Sequence, residues 1–114
     1  MNGIRLLIDT SKCIGCKACQ VACQQWHSLP AEDTAFTGSY QNPRDLSAAN
    51  LTVTKFAEYM GTKLNWFFFK DQCRHCDEPP CMEHCPLKAI VRQADGAVRI
   101  DPSKCFPDKC FSGQ

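Results

Sequence analysis

"CIGCKACQVAC", residues 13–23, sets cysteines at 13, 16, 19 and 23 in a C-x2-C-x2-C-x3-C run. A second run, "CRHCDEPPCMEHCP" at 73–86, sets them at 73, 76, 81 and 85, with Pro86 directly after. Quartets of this kind ask for a cofactor with several open metal corners. A cubane of four irons and four sulfides leaves one coordination position per iron, so it takes thiolates arriving from different directions. Short spacers in an irregular turn aim three successive sulfurs inward, and the fourth comes from elsewhere. The candidate ligands are therefore Cys13, Cys16, Cys19, Cys23, Cys73, Cys76, Cys81 and Cys85, with Cys105 and Cys110 as further metal-ligand candidates. No catalytic residue is expected.

Working outward, composition narrows the classes. The chain has 114 residues, a formal net charge of +1 and 44% hydrophobic residues, which suits one small domain with a modest core. Ten cysteines are a density that means disulfides or metal. "MNGIRLLIDT" reaches Asp9 after only a few apolar residues, so no export signal is expected. "WFFF" at 66–69 is far short of the roughly 20 apolar residues needed to span a bilayer. Thirteen basic and 12 acidic side chains are well mixed, without the basic stripe that neutralises phosphates, so nucleic acid is not expected as a partner.

Two plainer readings compete with the cubane. A zinc ribbon pairing Cys13 and Cys16 with Cys73 and Cys76 would form a tetrahedral site but leaves six cysteines without a role. A disulfide framework suits small secreted domains, yet closely spaced C-x2-C pairs close only short loops. Iron-sulfur clusters account for both quartets. In the bacterial two-cluster ferredoxin pattern the fourth cysteine of each run ligates the other cluster, and a following proline stops the backbone continuing as helix.

A coarse pass places the motifs. "IRLLID" at 4–9 reads as a short strand feeding the first cysteine loop. "QVACQQWHSL" at 20–29 reads as a brief helix carrying Cys23 and ended by Pro30. The stretch from 31 is polar and turn-rich, and "LTVTKF" at 51–56 alternates as a strand does. "LNWFFF" at 64–69 is too apolar for a solvated strand and is expected either buried on both faces or pressed against a partner. "AIVRQADGAVRID" at 89–101 reads as two strands around Asp95–Gly96, a dipeptide suited to tight turns. It leads into "IDPSKC" at 100–105, which repeats "IDTSKC" at 8–13, so Cys105 opens a third motif. Position 108, where the next ligand would fall, is Asp108, and Cys110 comes two residues late.

The chain resembles the iron-sulfur (beta) electron-transfer subunit of formate dehydrogenase, within the four-cluster ferredoxin-like subunits of molybdenum or tungsten oxidoreductases. The likeness is carried by "CIGCKACQVACQQWH" at 13–27, "QNP" at 41–43, "NWFFFKDQCRHCDEPPCMEHCP" at 65–86 and "AIVRQADGAVRIDPSKC" at 89–105. It implies an α+β fold, a ferredoxin-like iron-sulfur module with short strands, hairpins and cluster-binding loops, incomplete relative to the family. The organisation expected is a single 4Fe-4S region over 1–114, with a first cysteine motif at 1–30, an insertion at 31–64, and a second motif, hairpin and start of a third at 65–110. The implied cofactors are [4Fe-4S] clusters. The implied function is transfer of electrons from a molybdopterin or tungstopterin catalytic subunit to a membrane cytochrome or quinone-reactive subunit.

Family members pair their first motif with a fourth and their second with a third, and here only the opening of a third is present. The chain thus reads as the N-terminal half of a longer subunit: a truncated, non-functional fragment, or else a short two-cluster carrier. In the second case Cys85 completes the cluster of Cys13, Cys16 and Cys19, and Cys23 that of Cys73, Cys76 and Cys81. A zinc-binding structural module is the remaining alternative. By analogy the chain works on the periplasmic side of the cell envelope, co-exported with its catalytic partner, or alternatively in the cytoplasm. His27, His75 and His84 are expected in hydrogen-bonding rather than ligand roles. Lys12, Lys17 and Arg74 flank ligands as potential-raising or merely solvated charges, and Pro79 and Pro80 shape the spacer before Cys81.

Overall fold

The computed structural model describes residues 6–106. It divides into two compact units, one of Leu6–Gln72 and one from Cys73 onward, so that each carries one cysteine quartet.

In the first unit a single 3-10 turn at Thr10–Lys12 leads into the first cysteine loop. Asp9 caps that turn, its carboxylate accepting from the Ser11 amide at 3.0 Å and the Ser11 hydroxyl at 2.5 Å. The strand expected at 4–9 is not found over 6–9: these residues have no regular structure, and Leu7 is 93% exposed. Alternation there had no partner strand to satisfy it among the described residues, and the 3-10 turn begins directly after Asp9. Residues 4 and 5 of that expectation lie outside the described residues.

Helix α1 spans Ala18–Trp26 and begins from Lys17 in a left-handed conformation, φ 62°. It ends before Pro30, with His27 closing onto the Cys23 carbonyl at 3.1 Å and Ser28 at φ 51°. Strands β1 (Thr52–Met60) and β2 (Leu64–Gln72) form an antiparallel hairpin in which Phe56 faces Phe68 and Thr54 faces Lys70. The start of β1 is where the burial lies: Val53 is 0%, Thr54 2% and Thr52 3% exposed. The amides of Thr54 and Phe56 are covered by side-chain oxygens, Gln20 at 3.1 Å and Gln41 at 3.0 Å. Side-chain amides thus blunt an edge that would otherwise be a template for another strand. The "QNP" segment therefore has a structural use, since the Asn42 carbonyl also accepts from Gln20 at 3.4 Å.

The pleat divides the aromatic run between the two faces of the hairpin, and "LNWFFF" is not buried on both faces: Trp66 on one is 38% exposed and Phe69 on the other 36%. Trp66 and Phe68 join Tyr40 and Phe56, with Tyr40–Trp66 ring centroids 5.1 Å apart and Phe56–Phe68 5.4 Å apart, both edge-on. Phe67, on the other face, is 56% exposed.

In the second unit a short helix α2 (Pro80–His84) starts on a proline and ends at Cys85, whose amide returns to the Cys81 carbonyl at 3.1 Å. Proline at the first helical turn has no amide to lose there, so Pro79 and Pro80 start a helix inside the widened spacer. Strands β3 (Ile90–Arg92) and β4 (Val98–Ile100) pair antiparallel around Ala89, 1% exposed, and Val98, 8% exposed. Their turn closes from the Gly96 amide to the Gln93 carbonyl at 2.9 Å, with Gly96 at φ 88°, the backbone region that suits glycine. Two helices and short antiparallel strands agree with the α+β class.

Among the described residues the buried apolar side chains are only Val53, Ala89 and Val98. At about 1.5–3 kcal/mol for a fully buried side chain of valine size, such a core does not offset the ordering of a chain this long. Domains with so small a core rely on further staples such as disulfides, a bound metal or association with a partner.

Candidate iron-sulfur centre

The first quartet is built on a loop that must turn sharply and then become helix. Gly15 at φ 69° and Lys17 at φ 62° supply the turns. The loop lies on the aromatic face of the hairpin: a Cβ added at Gly15 would sit 3.0 Å from the Phe56 ring and 3.2 Å from that of Phe68. Cys13, Cys19 and Cys23 are half-buried and Cys16 is exposed. Cys19 and Cys23, one turn apart on α1, share a face. The first-turn amides of α1 have no side-chain cap. Lys17 is tied back, its ammonium on the Tyr40 carbonyl at 3.0 Å and 5.5 Å from the centre of the Phe56 ring. Its charge is therefore fixed beside the loop rather than free in solvent.

The second quartet starts where β2 ends. Cys73, Cys76 and Cys81 are exposed and Cys85 is half-buried. Backbone amides already point at two of the sulfurs: His75 donates to Cys73 Sγ and Ala89 to Cys85 Sγ, each at 3.4 Å. His75 turns the loop at φ 48° and uses Nδ1 to accept from the Val98 amide at 2.9 Å, tying the loop to β4. That is a hydrogen-bonding role, as expected for the histidines beside the cysteines. Arg92 on β3 clamps the same loop, donating to the carbonyls of Cys76 and Asp77 and pairing with the Asp77 carboxylate at 2.9 Å.

Cys105 follows the repeated motif, and the repeat has a structural meaning. Asp101 accepts from the Ser103 amide at 3.0 Å and its hydroxyl at 2.6 Å, reproducing the turn that Asp9 makes with Ser11. The Ser103 hydroxyl, then its amide, then Lys104 hold the Asp101 carboxyl below its ordinary value. Cys105 is half-buried; Cys110 and Asp108 lie outside the described residues.

Among the described residues, no three Cys, His, Asp or Glu side chains converge tightly enough to hold a single ion. Sulfurs on one tetrahedral zinc stand only about 3.8 Å apart, from Zn–S bonds of about 2.3 Å. Thr54, Gln20, Gln41 and Arg92 were not visible in the sequence as parts of the site. The alternation of "LTVT" puts Thr54 on the face opposite Leu51 and Val53, and nothing local says that it meets α1.

Comparison with known proteins agrees with the donor set. Residues 64–113 match the 4Fe-4S dicluster domain family and residues 5–25 match a 4Fe-4S binding domain family, which supports [4Fe-4S] clusters as the cofactor. The chain is 46% identical over 102 residues to the iron-sulfur subunit of the nitrate-inducible formate dehydrogenase of Escherichia coli, covering 88% of this chain and 35% of the relative. It is 45% identical over 106 residues to the formate dehydrogenase iron-sulfur subunit of Haemophilus influenzae, covering 90% and 34%. It is 51% identical over 79 residues to formate dehydrogenase 2 subunit beta (cytochrome c-553) of Nitratidesulfovibrio vulgaris, covering 68% and 36%. The chain thus spans about a third of the length of the curated relatives it matches. The likeness to formate dehydrogenase iron-sulfur subunits read from the motifs is shown by these relatives. Among the described residues no helix is long and apolar enough to cross a membrane.

Proposed function

We propose that this chain transfers electrons through [4Fe-4S] clusters as the iron-sulfur part of a formate dehydrogenase-like oxidoreductase. The observation that carries the proposal is the 46% identity over 102 residues to a formate dehydrogenase iron-sulfur subunit, a span that takes in both cysteine quartets. The ligands are Cys13, Cys16, Cys19 and Cys23 in the first motif and Cys73, Cys76, Cys81 and Cys85 in the second, within one 4Fe-4S region of ferredoxin-like type. Cys105 opens a further motif.

When bound, a [4Fe-4S] cluster takes up and returns one electron. The chain's own residues do the rest. Gly15 and Lys17 shape the first loop, while Arg92 and His75 brace the second. The amides of His75 and Ala89 donate to ligand sulfurs. Clusters held this way bind no organic substrate, so the chemistry at the other end of the wire belongs to a partner. That partner is a molybdopterin or tungstopterin catalytic subunit. The acceptor is a cytochrome or a quinone-linked membrane subunit, a reading supported by the cytochrome c-553 in one relative's name. The place of work is the periplasmic side of the cell envelope, reached with the catalytic partner.

The test is to load the chain anaerobically with iron and sulfide, then add formate with and without a relative's catalytic subunit. Visible absorbance should bleach only when both are present and return on adding oxidised c-type cytochrome. Bleaching by dithionite but not by formate with the catalytic subunit would remove the partner assignment. A protein with no dithionite-bleachable absorbance would remove electron transfer as well.

A further inference from the structure

We propose that Thr54 raises the reduction potential of the cluster bound by Cys13, Cys16 and Cys19 by donating its hydroxyl proton to the Cys19 sulfur. The proposal rests on the reading that these cysteines ligate a [4Fe-4S] cluster. Thr54 stands outside both cysteine motifs, on β1, 35 residues along the chain from Cys19. Its side chain is 2% exposed, and its Oγ1 lies 3.9 Å from Cys19 Sγ. Among the described residues that sulfur is the hydroxyl's hydrogen-bond partner, and no buried side-chain polar atom is left unsatisfied.

In the free thiol form either atom can donate. Ligation removes the ambiguity. A thiolate on iron has no proton and only accepts, so the hydroxyl becomes the donor. The pair is held in place from both sides. The Thr54 amide is fixed by Gln20 Oε1 at 3.1 Å, and Gln20 is the residue next to Cys19 on α1. Val53, 0% exposed, packs the adjoining position, and a β-branched side chain in a strand has little χ1 freedom.

Reduction adds one electron from the external reductant; no covalent bond forms or breaks, and the Thr54 proton stays on its oxygen. Added electron density makes the thiolate a better acceptor, so the hydrogen bond strengthens in the reduced state and favours it. Thr54 acts through Cys19 and is a positioning residue.

The experiment compares wild type, Thr54→Val and Thr54→Ser, each loaded anaerobically and assayed for iron, in a mediator-poised redox titration followed by EPR. Thr54→Val should move the reduction equilibrium of one cluster roughly tenfold toward the oxidised form, a fall of about 59 mV for one electron. Thr54→Ser keeps the hydroxyl and should keep the wild-type midpoint. The cluster of the second quartet is the internal reference and should not move. Thr54→Val with full iron content and both midpoints unchanged would overturn the inference, as would an equal fall in Thr54→Ser. If Thr54→Val does not load, Thr54→Ala, which adds no bulk, is read by the same two criteria. A wild-type chain that binds no cluster would overturn the ligand reading beneath it, a separate and recognisable failure.

Discussion

Replacing Gly15 with alanine tests whether the first cysteine loop is seated on the aromatic face of the hairpin. Two costs apply, and the structure provides a residue that isolates one of them. Gly15 has φ 69° and Gly38 has φ 81°, so alanine at either position meets a backbone penalty of about 1–2 kcal/mol. At Gly38 an added Cβ meets nothing within 4 Å, whereas at Gly15 it meets the Phe56 ring at 3.0 Å and the Phe68 ring at 3.2 Å. Those rings are locked edge-on, with centroids 5.4 Å apart, so neither swings aside freely. Overpacking of this kind adds about 1–3 kcal/mol, for a total of about 2–5 kcal/mol at Gly15. The assay is the urea midpoint of each cluster-loaded variant by circular dichroism, with the slope checked for constancy. Gly15→Ala should fall further than Gly38→Ala, by the equivalent of about 1–3 kcal/mol, and Phe56→Leu should recover part of the difference. Equal falls in the two glycine variants would refute the seating of the loop.

The second motif makes its own demands. Arg92→Leu removes the donors to the Cys76 and Asp77 carbonyls, and iron should pass to a chelator severalfold faster from the second quartet than from the first. Since Asp77 is 81% exposed, the ion pair itself is worth no more than about 1 kcal/mol, and Asp77→Asn should have little effect on that rate. His75→Phe leaves the Val98 amide without its acceptor at a cost of about 1–3 kcal/mol, measurable as a lower urea midpoint, and His75→Asn should recover part of it. The Asp101 carboxyl, held below its ordinary 3.8 first by the Ser103 hydroxyl, gives its stabilisation in full above that value and loses it as pH falls through the lower folded one. A carboxyl-carbon NMR titration of Asp101 with its midpoint at or above 3.8 contradicts that hydrogen bond.

The two cysteine quartets were legible in the sequence because their spacing is a local property. The hairpin at Ile90–Ile100 and the strand beginning near Thr52 were also readable, from a turn dipeptide and from alternation. Other features depended on partners far along the chain. "IRLLID" alternates, but no strand pairs with residues 6–9 among those described, so the pattern formed no sheet there. The aromatic run at 66–69 was read as a block, and only the pleat of β2 shows that Trp66 and Phe68 pack while Phe67 does not. Gln20, Gln41 and Thr54 carry no motif; their roles come from α1 and the 41–43 segment lying along β1. The repeat of Ile-Asp-x-Ser-Lys-Cys was visible at once, yet its reason was not. In each copy the aspartate carboxylate accepts from the serine two residues on, capping a turn ahead of a cysteine.

The central claim is that the two quartets hold [4Fe-4S] clusters. It is tested most directly by assaying iron, zinc and acid-labile sulfide per chain after anaerobic loading, with low-temperature EPR of the dithionite-reduced protein. About eight irons, a matching amount of sulfide and S = 1/2 signals from coupled clusters are predicted, the two quartets closing two cubanes between them. Stoichiometric zinc without sulfide, or iron that gives no such signal, would contradict it.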